Sequence, residues 1–481
     1  MAYYLIRFVT LVIFILISTV PVENVYAQQP EGKWAHPIRI TESGNFARYN
    51  SIVADLSGNL HAIWSEGGEG DGALDTVYYA TWNDTTGWST PVDIFAAPIE
   101  TNVKVMRLRV DSDGNLHALW IGKELMYARV HVSQAMNVRA WEVIRIREPA
   151  FAADLAIDET GHQLNIVYAI QEDNVYSIQS LDGGYSWSDY TRVWIPQRVE
   201  TTFDIRLERF NDGTLHTVWE VHTAARNWDP DRIEYARSLD GGKTWVDHYQ
   251  VLEPSGQASI GFDKEGGIHL FWNNPVWDNV GRFHIWSRDG GITWTPIERL
   301  FPGYKGLTKF PALAQDSAGV LHLVFAANSP RASNPRIFHT YWQGSRWAEP
   351  QIVQSTFEET EGPTLAIRGG NELHVLWFSY TPKDHGIWYT SMKVDAPRVA
   401  FDSVPTPETI TTTTKQIPTP TNESQVSESP SLIPTPARNL PLANEFSTDT
   451  NLPSSPALPI IISILSVAAL ISLILFTRIR L

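Results

Sequence analysis

The chain has 481 residues, no cysteine, 43% hydrophobic content and a formal net charge of −16. Disulfides are thereby excluded as a source of stability, and the acidic balance with no basic stripe argues against a nucleic-acid partner. Length and apolar content suffice for a large core plus accessory segments.

Residues 1–27 read as a secretory signal, with Arg7, an apolar run from Phe8 to Ile17, and Val25-Tyr26-Ala27 as a small-residue cleavage site. An uncleaved anchor is the alternative, because Tyr3 to Val20 approaches spanning length. Next comes Lys33-Trp34-Ala-His-Pro37-Ile-Arg-Ile40, which matches Arg346-Trp347-Ala-Glu-Pro350-Gln-Ile-Val353 almost position for position.

Between Ser51 and Trp377 one phrase recurs seven times: a turn, then Leu-His-apolar-apolar-Trp or a near variant. Its shared position is held by His61, His117, Asn165, His216, His269, His322 and His374, giving steps of 56, 48, 51, 53, 53 and 52. A steady period near 50 is the signature of a β-propeller. Each unit reads as four short strands; in the fourth these are 203–209, 215–221, 233–238 and 244–251, bounded by Asp-Gly and Gly-Gly turns. The seventh unit has no fourth strand after Ile387 to Met392, and Lys33 to Ile40 supplies one. The expectation is an all-β, seven-bladed propeller over residues 28–395, closed by its N-terminal strand so that no edge is left unpaired.

The recurring histidines do not converge on a metal, because equivalent positions in different blades are spread around a ring. They read as strand residues with a satisfied polar tip. Asp111-Ser-Asp113-Gly114-Asn115 echoes a calcium loop but lacks the following Glu and reads as a turn. No metal or cofactor is expected.

After the repeats, residues 396–457 are rich in Pro, Thr and Ser and cannot bury a core, which predicts an extended stalk. Residues 458–477 form a charge-free, mostly apolar run of spanning length up to Phe476, more consistent with a membrane helix than with a buried core helix. Arg478 and Arg480 in the tail (478–481) favour the cytoplasmic side, placing the propeller outside a cell membrane crossed once.

Chemistry is expected on the face built by the loops before each first strand and between the second and third strands. These are long and carry charges and aromatics, including Arg48, Tyr49, Asp71, Glu220, His222, Trp228, Arg232, Trp277, Arg282, Tyr304, Lys309 and Arg336. Aromatic platforms beside carboxylates and arginines suit a sugar or another polar anionic ligand.

Three turns between third and fourth strands carry Ser-x-Asp-x-Gly-x-x-Trp: Asp182, Gly184 and Trp187; Asp240, Gly242 and Trp245; Asp289, Gly291 and Trp294. The physics is a tight hairpin in which Asp accepts backbone N–H bonds, Gly supplies positive φ, and Trp packs back on the blade. This motif resembles the Asp-box, or bacterial neuraminidase repeat, of sialidases and related propellers. In that superfamily these turns are structural and lie away from the active face.

The resemblance implies a sharper template. Family sialidases bind the sugar carboxylate with three Arg, protonate with an Asp and use a Glu-activated Tyr as nucleophile. Arg48, within Ala47-Arg48-Tyr49-Asn50-Ser51-Ile52, falls where the first Arg should be, and Asp71 lies near the acid position with shifted spacing. Elsewhere the match decays. Gly67-Gly68 stands where the acidic loop often carries an Arg, and Trp219-Glu220 ends the strand expected to end in the second Arg. Arg232, Arg282 and Arg336 are the available substitutes, Tyr304 and Tyr380 the candidate nucleophiles, and Trp228 and Trp277 the candidate sugar platforms. Family sialidases have six blades, the alternative to the seven counted here. The expected function is binding of glycan or surface-protein ligands without intact sialidase chemistry; the alternative is an active exo-sialidase or related glycoside hydrolase.

Overall fold

The structure is a computed structural model that describes residues 32–405 apart from 42–45, 68–74, 98–101, 148–149, 171–174, 196–199, 224–228, 252–255, 275–279, 307–308, 331, 355–358, 380 and 382–384. The expected signal, the stalk beyond residue 405, the membrane helix and the tail lie outside the described residues. Among the described residues no helix is long and apolar enough to cross a membrane.

Short alternating runs pair with their chain neighbours into seven antiparallel sheets, six of four strands and one of five. The first strands of successive blades touch in a closed cycle around one central channel, so the fold is a seven-bladed propeller and not a six-bladed one. In blade four the strands are Glu200–Arg209, Leu215–Thr223, Pro230–Ser238 and Val246–Val251. The last starts two residues later than its sequence suggests, because Asp240 accepts from both the N–H and the hydroxyl of Thr244 at 2.9 and 2.6 Å. In blade one the outer strand is split into Gly87–Trp88 and Val92–Ala96, both paired with Thr76–Asn83.

Ring closure runs through the N-terminal segment. Ile38 and Arg39 pair with Tyr389 and Trp388 on the last strand, Gly386–Lys393. On either side, Ala35 N–H donates to the Ser391 carbonyl at 2.8 Å and Ile40 N–H to the Ile387 carbonyl at 2.9 Å.

The aromatic that ends each repeated phrase is the wedge between blades. Trp64, Trp120, Trp219, Trp272 and Trp377 are at most 1% exposed, with Tyr168 and Phe325 in the two remaining positions. Trp219 packs with Ala152, Val167 and Val175 of blade three, filling the gap to the preceding blade. Burying roughly 200 Å² per ring contributes about 5 kcal/mol before entropy is charged against it.

The repeated histidine bridges turn, second strand and third strand. His61 and His117 each bond a tyrosine hydroxyl at 2.7 Å (Tyr79, Tyr127) and the turn carboxylates of Asp55 and Asp111 at 3.1 and 3.2 Å. In blades five and six a second histidine replaces the tyrosine: His269 meets His284 and Asp263, and His322 meets His339 and Asp316. His216 bonds Tyr235 at 2.7 Å and Thr214 at 3.0 Å. In blade seven His374 bonds Tyr389, also at 2.7 Å. The first five are the satisfied polar tips the sequence implied, whereas the other ring nitrogen of His374 stands 3.7 Å from Glu372.

The three Ser-x-Asp-x-Gly-x-x-Trp turns close alike. Asp182 accepts from Ser180 at 2.8 Å and from the Ser186 N–H at 2.9 Å, and Gly184 N–H donates to the Ser180 hydroxyl at 2.8 Å. Bonds from the Ser186 hydroxyl and N–H and the Ser180 hydroxyl hold the Asp182 carboxyl down at about 2. Trp187 and Trp294 then stack edge-on against Tyr127 and Tyr235 of the preceding blades, at 5.2 and 5.0 Å.

Residues 396–405, the start of the expected stalk, lie along the propeller as a strap. Val399 N–H donates to Gly369, Asp402 N–H to Leu56, and the Pro405 carbonyl meets His131 at 2.9 Å. Phe401 sits over the Arg368 guanidinium at 4.5 Å. Most of these partners belong to the turns between first and second strands, so the strap crosses the closure from blade seven to blades one and two on one face only.

Candidate functional site

The opposite face begins where each first strand starts, and there the strands share an irregularity. Register shifts fall between Arg48 and Ser51, Lys104 and Arg107, Phe203 and Arg206, Gly256 and Ser259, and Glu361 and Thr364. Within four of these bulges, and at the matching place in blade six, the backbone is left-handed: Tyr49 (φ 53), Asp204 (φ 55), Gln257 (φ 54), Gly362 (φ 57) and, in blade six, Lys309 (φ 65). Each non-glycine residue so held costs about 1–2 kcal/mol, and such bulges re-aim side chains beside functional sites.

What they are aimed at is the mouth of the central channel. A cavity of ≈ 180 Å³ is lined by first-strand residues of all seven blades, among them Tyr49, Asn50, Asp204, Arg206, Lys309 and Phe310. Its depths hold ion pairs that tie the inner strands together. Arg107 Nε donates to Asp154 at 2.7 Å, and Arg109 pairs with Glu208 at 3.1 Å. Asp154, fully buried, also accepts from Leu155 and Leu207 N–H at 2.8 and 3.0 Å, joining blades two, three and four.

Asp204 is the electrostatic centre of the mouth. Burial and the neighbouring Glu220 carboxylate push its carboxyl up to about 7, while Lys309, His222 and Arg107 oppose the rise. Glu220, 4% exposed, pairs across the strand with Phe203, accepts the Gln257 N–H at 2.7 Å and bonds His222. On the cavity wall Arg206 lies over the Phe310 ring at 3.4 Å. Asn50 donates to Thr364 at 3.0 Å, while its own buried carbonyl oxygen has no partner among the described residues. The site therefore combines aromatic surface, two cationic side chains, a carboxyl that titrates near neutrality and an orphaned acceptor.

The residues expected from the sequence distribute differently. Arg48 lies 3.6 Å from Asp75 and donates to Asn102 at 3.4 Å. Arg232 is held by Glu200 at 3.0 Å and Glu234 at 2.5 Å. Arg282, 1% exposed, donates to the Gly306 carbonyl at 2.9 Å and to that of Ala326. Arg336 is half-buried on a third strand opposite Ala327. Tyr304 belongs to an aromatic cluster, edge-on to Phe338 at 5.0 Å. Asp71, Trp228, Trp277 and Tyr380 lie outside the described residues. Of the described ones, Arg48, Arg232, Arg282, Arg336 and Tyr304 do not line the central cavity.

Sequence reasoning named Glu220, His222 and Lys309 as loop charges but missed Asp204, Arg206 and the Asn50 acceptor. A signal was present: Phe203-Asp204-Ile205 puts a carboxylate inside an otherwise alternating strand start. Nothing in the sequence reveals the bulge that turns it inward.

No protein-family model and no curated protein matches the sequence. Solved structures share the fold at low identity. A protein of unknown function from Dyadobacter fermentans DSM 18053 aligns with TM-score 0.50 and 14% identity over 76% of this chain and 100% of that one. An ulvan lyase, a polysaccharide lyase solved with -[GlcA(1-4)Rha3S]- bound, aligns with TM-score 0.54 and 10% identity over 74% and 95%. The NanB sialidase from Streptococcus pneumoniae reaches 0.44 with 12% identity over 78% and 72%. At these identities the likeness to the first two is one of fold.

Proposed function

We propose that this propeller binds glycans at the mouth of its central channel, without sialidase chemistry. The observation that carries this reading is the cavity itself. Aromatic rings (Tyr49, Phe310), cations and an unsatisfied buried acceptor converge on it from different blades. Two of the arginines that a sialidase-type carboxylate clamp could use are already engaged, Arg232 by carboxylates and Arg282 by backbone carbonyls. Polysaccharide-active proteins among the structural neighbours agree with a carbohydrate ligand. The strap leaves on the face opposite the mouth.

A glycan array probed with the purified protein tests the reading, with Lys309→Met and Phe310→Ala as site controls. Retention of a defined glycan set, lost in both variants, is expected. Binding that survives both variants places the ligand elsewhere. Hydrolysis of a fluorogenic sialoside by the wild-type protein, at a rate above background, would instead establish the exo-sialidase alternative for which Arg48 is the candidate carboxylate ligand.

A further inference from the structure

The glycan reading leaves open which chemical feature of a saccharide the mouth selects. We infer that it takes the anionic group of an acidic saccharide, a carboxylate or a sulfate, between Lys309 and Arg206, with Asp204 as the gate that admits it. The inference rests on the glycan reading and goes further by naming the ligand class and its control.

Three independent features meet here. Asp204 and Lys309 occupy the same left-handed bulge position, one in blade four and one in blade six, so both side chains are delivered to one cavity by strained backbone. Among the described residues neither side chain has a hydrogen-bond partner, and they act on each other through space. The Asn50 carbonyl oxygen, on a residue only 4% exposed, lines the same cavity without a donor. A buried acceptor left bare is costly, and a sugar hydroxyl is a donor of the right kind.

The gate follows from charge. With Asp204 protonated, Lys309 and Arg206 present uncompensated positive charge to the cavity, and Asp204 can donate a hydrogen bond to the arriving anion. With Asp204 ionised, its carboxylate takes Lys309 as its own partner and repels a second anion. The groups that face it are Glu220 and His222 from the second strand of blade four, Lys309 from blade six and Arg107 from blade two. Glu220 is fixed in place by the Gln257 N–H and by His222, so the repulsion that adds to burial in keeping Asp204 protonated is built into the scaffold. The Arg107 guanidinium is turned toward Asp154. Binding of the anion is therefore coupled to one proton on Asp204, and affinity falls as pH rises through its titration near 7.

Calorimetric titration of the full chain with tri-galacturonic acid, a κ-carrageenan tetrasaccharide and neutral cellotetraose, from pH 6 to 9, tests this. At least one acidic saccharide is expected to bind at pH 6 and to lose affinity by up to roughly 100-fold at pH 9, the limit for one linked proton, while cellotetraose binds more weakly. The two acidic probes distinguish a carboxylate from a sulfate as the preferred group. Asp204→Asn, which keeps the shape without the titrating proton, should bind with no slope over this range. Lys309→Gln and Arg206→Gln should each weaken the acidic ligand by about 10-fold or more and leave the neutral one unaffected. Equal binding of acidic and neutral saccharides overturns the anionic class and its gate, and a pH slope that persists in Asp204→Asn overturns the gate alone; in both cases glycan binding stands. Absence of binding by all three probes at pH 6, with a glycan retained on the array at the same site, overturns the anionic class alone. No glycan bound in either assay overturns both readings.

Discussion

Lowering the pH below 6.5 is expected to destabilise the propeller, because His216, His284 and several other buried histidines are held neutral. Burial, opposed by Asp212 and helped by Arg237, pulls His216 down to about 4 from an ordinary 6.5. Burial does the same to His284, with Glu298 opposing and His269 helping, again to about 4. Above pH 6.5 both the folded and the unfolded chain keep these rings neutral, and stability does not depend on them. Between 6.5 and 4 the unfolded chain takes up protons that the folded one refuses, so stability falls as pH falls. A drop of about 2.5 pH units at 1.36 kcal/mol each is worth roughly 3 kcal/mol per histidine, or about 7 kcal/mol for the two. Burial shifts His269, His339 and His374 in the same direction. Since whole domains are stable by only about 5–15 kcal/mol, the loss is large. Burial works the other way on Asp55 and Asp263, but hydrogen bonds from their histidine partners hold both below 3.8, so their contribution is lost only at lower pH. Asp204, raised to about 7, works in the opposite sense, so the Asp204→Asn variant isolates the histidines: its urea midpoints, read by tryptophan fluorescence, should agree at pH 8 and 7 and then fall steadily to pH 4.5. A midpoint unchanged from pH 7 to 4.5 in that variant would refute the claim that His216 and His284 are buried in the neutral form.

Gly291→Ala should destabilise by about 2–4 kcal/mol, because φ is 87° and the new methyl carbon would stand 2.0 Å from the Tyr235 hydroxyl. Tyr235→Phe in the same chain should recover part of that loss in a double-mutant cycle, and a strictly additive result in urea unfolding would argue against the contact. Trp219→Ala should cost about 3–5 kcal/mol by the same assay, since it empties the wedge between blades three and four. Removing the chain up to Ile40 strips the outer strand from blade seven and exposes the edge of Gly386–Lys393. Light scattering should then report concentration-dependent self-association, whereas a stable monomer would show that closure does not depend on this strand.

The scaffold was legible because each blade must solve the same packing problem. A wedge aromatic, a histidine bridge and a turn aspartate recur at fixed spacing, and even the ring-closing strand could be found as a displaced copy of Arg346 to Val353. The site was not legible for the same reason in reverse. It is made where copies differ, from single residues of blades one, four and six that are more than a hundred positions apart in sequence. Arg48, Arg232 and Arg282 attracted attention as charged loop residues, yet the structure gives each a local partner. A guanidinium that already has its carboxylate or carbonyl cannot be told from a ligand-binding one by sequence alone.

The two faces of the propeller divide the work by backbone conformation. On the strap side, positive φ falls on glycines at the close approaches, Gly184 and Gly291 against tyrosine hydroxyls and Gly58 against Phe401, where a Cβ could not fit. At the first-strand bulges on the channel side, positive φ falls mostly on Tyr49, Asp204, Gln257 and Lys309, residues that pay a steric penalty for it. Packing explains the glycines, since nothing larger is tolerated there. It does not explain the others, because glycine would relieve the strain at each of them, as Gly362 does in blade seven. What glycine could not supply is the side chain, and three of those four side chains line one cavity. Strain retained where a smaller residue would remove it marks the channel mouth as the part of this fold kept for its chemistry.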